Sequence, residues 1–458
     1  MHGITRAPPR AAGALGNSRV GGIGLMVHTS GPSPAPARSM KTSPRLPLFA
    51  TLVLAVGLPA ARAGDWSQIM GPSGNRKTAE IAAATWTAGQ PRKIWEITAG
   101  GGFSSFVTGE GRAYTVVPVD GRETAIAIDR QSGKTVWQTP LGVTGYRGGG
   151  ERGAPGNDGG DGPRATPVFS GGRVFVFGGK FDLHALNSAT GAAEWTRDLI
   201  KEFGGNEITW ANAASPLVIG DRVLVAGGGS GQTYLAFKAE SGEVLWKAGS
   251  DRAVHSTPIV ATIHGVQQAI FMVERGIVAR DPANGRELWH YPFPYRTSTA
   301  ASPVVWGDIV NCAAAYGVGG AACQVKRTGD QWEVTELWRI PGKDAEAHWS
   351  TAVVHDGYLY GLYGHRDFGN NPMKCIDIRT GKIQWTQPGF GPSQVIMVGN
   401  RLVATTDAGV LKLIEPTPTA YRELASAKVI EGKVWASPAF SDGQILLRST
   451  TQGVCLEL

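Results

Sequence analysis

A nine-residue phrase that recurs along the chain restricts its fold more than any other feature of the sequence. In residues 129–137 the phrase reads DRQSGKTVW, with glycine at its fifth position and tryptophan at its ninth. Further copies occupy positions 187–195, 238–246, 281–289 and 377–385. The phrase glycines at 133, 191, 242, 285 and 381 are therefore 58, 51, 43 and 96 residues apart. Because 96 is twice 48 and a degraded copy with Trp338 lies between, the spacing indicates a circular or stacked repeat.

The residues before each phrase predict three further β-strands. Segments such as RVFVFGGKFDLHAL and LVATTDAGVLKLI are rich in Val, Leu and Phe and are interrupted by Gly or Asp turns. Ahead of them stand words in which Ser or Thr precedes proline, for example ATPVFSGGRV and ASPLVIGDRV. Proline is tolerated at the first residue of a strand. One unit is therefore three strands and a fourth that carries the tryptophan, which is typical of a β-propeller blade.

Counting strand starts and fourth-strand tryptophans predicts eight blades. Seven tryptophans serve as structural anchors, namely Trp95, Trp137, Trp195, Trp246, Trp289, Trp338 and Trp385, and Leu424 substitutes for the eighth. The last blade stops after three strands, whereas KIWEITA around Trp95 has no blade before it. We therefore predict an all-β, eight-bladed propeller of four-stranded antiparallel blades, closed by an N-terminal strand that completes the last blade. Such closure removes exposed sheet edges.

The N-terminal region predicts export. Residues 1–39 are rich in Pro, Gly, Ser and Arg and are interpreted as a disordered extension or a mis-assigned start. Residues 40–63 contain a basic start, the apolar run LPLFATLVLAVGLPA and an A-R-A site, which together indicate a signal peptide. A mitochondrial-type presequence is the alternative, but the compact apolar run argues against it. We assign residues 64–92 to a lead-in segment and residues 93–458 to the propeller.

The net charge of +7 lies entirely in the leader. Residues 1–63 hold 7 basic and no acidic residues, so the remainder has 44 − 7 = 37 basic against 37 acidic residues. A neutral folded part gives no support for nucleic-acid binding, which needs a basic face. The expected location is the periplasm or the extracellular space, and the mature chain is expected to be monomeric, without a transmembrane segment.

The cysteines allow one disulfide. Cys312 and Cys323 flank AAAYGVGGAA, and a two-residue turn at Gly317-Val318 would place them directly opposite each other in a hairpin. A longer loop would shift the register and misalign them. Cys375 and Cys455 occupy positions at which sister blades have alanine, so they are interpreted as core residues.

No stretch of the sequence has the spacing of a known metal or nucleophile motif. The Gly-rich insertion at residues 146–167 contains Asp158 and Asp161, but their spacing matches no EF-hand loop. A solvated loop is the favoured interpretation, and glycines also allow a lid over a site. No metal site is predicted.

One group of residues predicts a ligand site at the mouth of the channel. The loops that enter innermost strands meet at one end of a propeller, and there they carry cationic and aromatic residues. The predicted ligand-binding residues are Arg164, Trp210, Asn212, His255, Arg296, His348, Trp349, Lys433 and Trp435, with Phe103 and Gln394 beside them. Such a ring suits an anionic or planar ligand. The alternative is that these side chains merely close the channel.

The words SGKTVW, SGEVLW and TGKIQW resemble the blade signature of the PQQ-like, quinoprotein alcohol dehydrogenase-like repeat family, over about residues 93–458. The resemblance implies an eight-bladed propeller and, for the family's dehydrogenases, PQQ with calcium. It also implies a plan shared with the outer-membrane barrel-assembly propeller lipoprotein. The chain departs from both patterns, because no two cysteines are adjacent, no C-x-x-C-H word occurs, and glycine rather than cysteine follows Ala63.

Three functions remain open at this point. The leading interpretation is a secreted, non-catalytic module that binds a small ligand or another protein. The alternatives are a PQQ-dependent oxidoreductase for alcohols or sugars, with unidentified catalytic residues, and a scaffold that binds an envelope protein along the propeller rim.

The A-R-A site predicts a mature N-terminus at Gly64. Signal peptidases cut after a small-x-small tripeptide, so protein exported by a bacterial host should have lost residues 1–63. Intact-mass measurement or N-terminal sequencing of the exported protein checks this expectation. A terminus that retains residues before Met40 would contradict it.

Overall fold

The computed structural model describes residues 64–83, 86, 89–146, 162–295, 297–365 and 370–458. The predicted extension and signal peptide, the pair Asp158 and Asp161, and Arg296 lie outside these ranges. The regular secondary structure of the described chain is β-strand, apart from one short helix. No helix in it is long and apolar enough to cross a membrane.

The elements follow one another mostly as hairpins. The lead-in segment and the first two blades contain β1 (Lys77–Thr78), β2 (Arg92–Thr98), β3 (Val107–Gly109), β4 (Arg112–Val119), β5 (Arg122–Asp129), β6 (Thr135–Val143), β7 (Val168–Ser170), β8 (Arg173–Phe177), β9 (Asp182–Asn187), β10 (Ala193–Asp198) and α1 (Leu199–Phe203). The next three blades contain β11 (Leu217–Ile219), β12 (Arg222–Ala226), β13 (Tyr234–Lys238), β14 (Val244–Ala248), β15 (Ile259–Ile263), β16 (Val266–Val273), β17 (Gly276–Arg280), β18 (Glu287–Pro292), β19 (Val304–Trp306), β20 (Ile309–Ala314), β21 (Gly319–Thr328) and β22 (Gln331–Ile340). The last three contain β23 (Val353–His355), β24 (Tyr358–Leu362), β25 (Met373–Asp377), β26 (Ile383–Gln387), β27 (Val395–Val398), β28 (Arg401–Thr405), β29 (Val410–Ile414), β30 (Glu423–Lys428), β31 (Ala439–Ser441), β32 (Gln444–Arg448) and β33 (Gln452–Glu457).

Eight antiparallel sheets form the blades, as predicted. Blades one to seven each use four consecutive strands, from β3–β6 to β27–β30. The eighth blade combines β31, β32 and β33 with β2, and Trp95 of β2 lies opposite Cys455 of β33. The predicted ring closure is therefore confirmed. One feature was not predicted: β1 pairs in parallel with β27 and adds a fifth strand to the inner edge of blade seven.

The recurring phrase joins neighbouring blades. The ring of Trp95 lies on Gly133 of the next blade, so closely that a Cβ on that glycine would be 2.7 Å from the indole. Gly285 stands in the same relation to Trp246, at 2.5 Å, and both glycines have positive φ. The indole Nε1 of Trp95 also donates to the Arg130 carbonyl of the same turn at 2.8 Å. The phrase thus requires glycine so that the tryptophan of the preceding blade can approach closely. It requires tryptophan to make the same contact with the next blade.

Two blades depart from this pattern. Trp289 donates to Gln268 within its own blade at 2.6 Å, because blade five has the longer hairpin β21–β22 in place of the phrase. The prediction of Leu424 as the anchor of blade seven is wrong: Ala425, opposite Leu413, occupies the tryptophan position, whereas Leu424 lies in the register shift just before it and remains 38% exposed.

Residues of the Ser/Thr-Pro words and their equivalents join the innermost strands of neighbouring blades by hydrogen bonds. Ser105 N donates to Thr166 Oγ1 at 3.0 Å, and Thr166 N donates to Ser215 Oγ at 3.2 Å. At the seam between blades eight and one, Ser437 N donates to Ser105 Oγ at 2.7 Å. We call the eight equivalent positions the belt, which comprises Ser105, Thr166, Ser215, Thr257, Ser302, Thr351, Gln394 and Ser437. Belt hydroxyls accept strand-start N–H groups that would otherwise be buried without a partner.

The lead-in segment crosses the end of the channel at which the innermost strands finish. The Trp66 and Ser67 carbonyls accept from Thr108 N of blade one and Phe169 N of blade two, at 2.9 and 2.8 Å. Farther along, the Arg76 carbonyl accepts from Met397 N of blade seven at 2.9 Å. The segment therefore closes this end of the channel.

The hairpin between Cys312 and Cys323 differs from the geometry that a disulfide requires. Four residues, 315–318, connect β20 and β21, so Cys312 pairs with Ala321 and Cys323 with Val310. The two cysteines are diagonal rather than opposite, and both thiols are free. The connection is centred one residue earlier than the predicted turn at Gly317-Val318, which makes Ala321 rather than Cys323 the partner of Cys312.

Replacing Trp95 by alanine should destabilise the ring strongly. The side chain is buried at the closing seam, and truncation of a buried aromatic costs about 3–5 kcal/mol. Leu424→Ala, on the fourth strand of blade seven one residue before the equivalent position, is the control and should cost under about 1 kcal/mol because its side chain is more than a third exposed. Chemical denaturation of both variants measures the difference. Equal losses would show that the seam is not closed through Trp95.

Candidate functional site

Side chains two residues before the belt point into one cavity. In blade order these positions are Phe103, Arg164, Ala213, His255, Ala300, Trp349, Pro392 and Trp435, and all but Pro392 line a cavity of about 210 Å³. The repeat explains this arrangement, because equivalent positions in eight related blades face the same axis. We call this cavity the cup.

The floor of the cup comes from the lead-in segment. Ile69, Met70 and Arg76 line its closed end. Met70 packs among apolar residues of blades four and five. These floor residues were not predicted, because the lead-in segment belongs to no repeat and its path across the channel has no local signature.

Arg76 is a buried cation with neutral hydrogen-bond partners. Its side chain is 1% exposed. Nε donates to the Val395 carbonyl at 3.0 Å, and Nη2 donates to Gln394 Oε1 at 3.1 Å and Ser437 Oγ at 2.9 Å. Burial lowers the pKa of Arg76 to about 9. The described residues that line the cup include no Asp or Glu. A desolvated guanidinium in such surroundings favours an anion beside it.

One wall of the cup is aromatic. Phe103 stacks on Trp435 with ring centroids 4.7 Å apart, and Trp435 contacts Trp349 at 4.4 Å. The Arg164 guanidinium lies 5.8 Å from the Phe103 centroid and 5.1 Å from that of Tyr146. The opposite positions of blades three and five are Ala213 and Ala300, so the cup is asymmetric. A planar ligand would stack against the aromatic wall.

His255 is held in one neutral form. Burial lowers its pKa to about 4. One ring nitrogen, Nε2, lies 2.9 Å from the Thr209 carbonyl, which can only accept, so Nε2 carries the hydrogen. Nδ1 then accepts from the Ser298 hydroxyl at 2.7 Å. His255 therefore contributes a polar but uncharged surface near neutral pH.

The other predicted ligand residues divide into two groups. Trp210 and His348 line the cup. Asn212 does not; its amide is 1% exposed and bonds to the Phe177 and Ala214 carbonyls, so it shapes the entering loop. Lys433 lies outside the lining, with Nζ 4.9 Å from the Trp435 ring centroid.

Tyr316 and His365 also line the cup, although neither was predicted. Their rings are 4.2 Å apart, and Tyr316 lies 5.3 Å from the ring of His348. Tyr316 and Trp210 have positive φ, at 59° and 69°, which is uncommon for aromatic residues and concentrates at functional sites. Both unpredicted residues come from hairpin loops rather than strand starts, so the repeat phase did not identify them.

A buried carboxyl group supports the entrance. Glu123 is 2% exposed, accepts from the Tyr146 hydroxyl, and accepts from Gly179 N at 3.0 Å. Burial raises its pKa to about 7, although these hydrogen bonds act in the opposite direction. The guanidinium of Arg164 lies over the ring of Tyr146. Through Tyr146, Glu123 is therefore connected to Arg164 in the wall of the cup.

The residues present do not suit a calcium-bound quinone. Calcium prefers several oxygen ligands, carboxylates above all, and none of the described lining residues is acidic. Nowhere in the described ranges do three His, Cys, Asp or Glu side chains come close enough to hold a metal ion.

Stability should fall as pH rises through the titration of Glu123. Its folded-state pKa lies above its unfolded value, so the native state binds the extra proton between about pH 4.5 and 7. The stability lost over this window should approach about 3 kcal/mol. Glu123→Gln should flatten the dependence, whereas the exposed control Glu240→Gln should not. Denaturant unfolding at several pH values measures this, and an unchanged profile for Glu123→Gln would contradict the assignment.

A comparison with protein-family profiles supports the propeller fold. A family profile described as outer membrane protein assembly factor BamB matches residues 121–387, more than half of the chain. No curated protein matches the chain.

Solved structures give the same fold. A quinohemoprotein alcohol dehydrogenase from Comamonas testosteroni is similar with a TM-score of 0.61 at 14% identity, over 87% of this chain and 81% of that chain. BamB from Moraxella catarrhalis is similar with a TM-score of 0.52 at 14% identity, over 81% of this chain and 100% of that one. Identities this low show a shared fold alone. On the family match, with the phrase and blade geometry that accompany it, this chain belongs to the PQQ-type propeller family described as outer membrane protein assembly factor BamB.

Proposed function

We propose that this protein is an exported, non-catalytic binding protein that holds a small anionic, planar group in the cup. The observation that carries the proposal is Arg76, a buried guanidinium at the closed end with neutral hydrogen-bond partners. Burial removes the stabilisation that water gives to the charge of Arg76. An anion beside the guanidinium would restore part of that stabilisation. Arg164, near the entrance, adds a second positive charge to the lining.

The aromatic wall supports a planar ligand. The rings of Phe103, Trp435 and Trp349 form a continuous surface, and the alanines of blades three and five leave space across from it. Stacking would fix the plane of the ligand, while charge-assisted hydrogen bonds would hold its acidic group.

The composition of the described lining supports binding without turnover. It contains no carboxylate to act as a base or to hold calcium. His255 is neutral and engaged at both ring nitrogens. The lining therefore contains groups that bind a ligand. PQQ is one anionic, planar compound that such a cup would accept without calcium.

A second candidate is an assembly scaffold. The family profile is described as an outer membrane protein assembly factor, which favours a protein partner in the cell envelope. Apolar side chains on the outer strands also remain partly exposed, among them Val136, Leu245 and Leu337. Such a partner would bind along the rim and leave the cup free.

Removing either cation should weaken an anionic probe. Calorimetric titration with PQQ and with a naphthalene dicarboxylate, each with and without calcium, should give calcium-independent binding. Arg76→Gln and Arg164→Gln should each weaken it by about 1.5–3 kcal/mol, the scale of a hydrogen bond to a charged group. Arg252→Gln, at an exposed arginine, is the control.

Three outcomes separate the candidates. Equal affinity of both cup variants and wild type, in folded protein, would contradict the assignment of the cup. Calcium-dependent dye reduction with alcohols or sugars would identify a quinone-dependent oxidoreductase instead. Failure of both probes together with a stoichiometric envelope protein bound at the rim would favour the scaffold.

A further inference from the structure

The two ends of the lead-in loop meet at one turn of blade eight. From Gly64 the chain passes blades one and two, then runs beside blade four, where a Cβ on Gly74 would lie 3.5 Å from Val260. The chain continues along blade seven through β1 and returns to Glu80. Glu80 Oε2 accepts from Gly443 N at 3.3 Å, in the turn between β31 and β32. Residues 64–80 therefore form a loop whose ends lie side by side.

The space around Gly64 fits a nitrogen and not a methyl group. An atom in the Cβ position of Gly64 would lie 2.6 Å from Asp442 Oδ1 and 3.8 Å from Glu80 Oε1. The first distance is too short for carbon but ordinary for a charged N–H···O hydrogen bond, and the second is within ion-pair range. A terminal amine on glycine reaches the Cβ position by rotation about its own Cα–C bond.

The acidic groups at this point lack a sufficient positive charge. Asp442 Oδ2 accepts from Arg130, while Glu80 Oε1 is buried without a hydrogen-bond partner in the described part of the chain. Burial raises the pKa of Glu80, and the nearby Asp442 carboxylate raises it further, against the Gly443 hydrogen bond and Arg130. One more cation between the two carboxyl groups would satisfy both.

We infer that the α-ammonium group of Gly64, released by cleavage after Ala63, binds between Asp442 and Glu80 and locks the lead-in loop across the floor of the cup. The inference rests on the export step of the proposed function, since only cleavage at this bond creates the amine. Processing thereby becomes part of folding: the cation that completes the turn of blade eight exists only in the mature protein.

The test compares mature protein starting at Gly64 with protein carrying one additional alanine before it. The extra residue moves the amine away from the acids. In the mature form the α-amine pKa should lie at least about one unit above its ordinary range of about 7.7–8.0, measured by NMR of ¹⁵N-labelled Gly64. The extension should lower the Tm by on the order of 1–2 °C.

A double-mutant cycle isolates the contact. Glu80→Gln keeps an acceptor for Gly443 and removes the charge, so in that background the extension should no longer change the Tm. Glu457→Gln, which removes an exposed pair with Arg92, is the matched control and should leave the effect of the extension intact. An ordinary amine pKa together with additive effects of extension and Glu80→Gln would overturn the inference.

The export step is tested separately. If exported protein begins at another residue, the processing prediction fails. Protein whose N-terminus is set at Gly64 by cleavage of a removable tag still reports on the ammonium site, so the two failures are distinguishable.

Discussion

The contact between an indole and a glycine of the next blade is the interaction on which the rest of the ring depends. Each phrase supplies the glycine that receives the preceding tryptophan, and in the first three copies its own tryptophan contacts the glycine of the next phrase. A Cβ at Gly133 or Gly285 would enter the indole face, and the positive φ of both positions also disfavours other residues. Because one phrase serves two interfaces, it must be repeated in phase along the chain.

Closure of one end distinguishes this ring from an open channel. The lead-in segment forms a floor that carries Arg76. Burial removes the hydration of its guanidinium, and the neutral hydrogen-bond partners replace that hydration only in part. Three neutral acceptors reduce the cost of burying the guanidinium, and the lowered pKa shows that some cost remains. A site that tolerates this cost is prepared for a negative charge, which is the physical basis for proposing an anionic ligand.

Eight related blades nevertheless create an asymmetric site. The positions before the belt are equivalent in backbone, yet they carry Trp435 and Phe103 on one side and Ala213 and Ala300 on another. The backbone repeat thus supplies a constant ring, while single side chains decide shape and charge. Function is therefore a property of this site, and the fold alone does not fix it.

Blade number, strand order and ring closure were determined by the sequence itself, because each follows from local patterns repeated at a regular interval. The same phase located Arg164, His255, Trp349 and Trp435 before the belt. Only the tertiary structure decided the path of the lead-in segment, and with it Arg76, because that segment occurs once and is positioned by contacts with residues distant in sequence, such as Ser437, which is 361 positions from Arg76. The thiols of Cys312 and Cys323 do not meet for a related reason: the residue at which the chain turns sets the register, and composition does not reveal that residue.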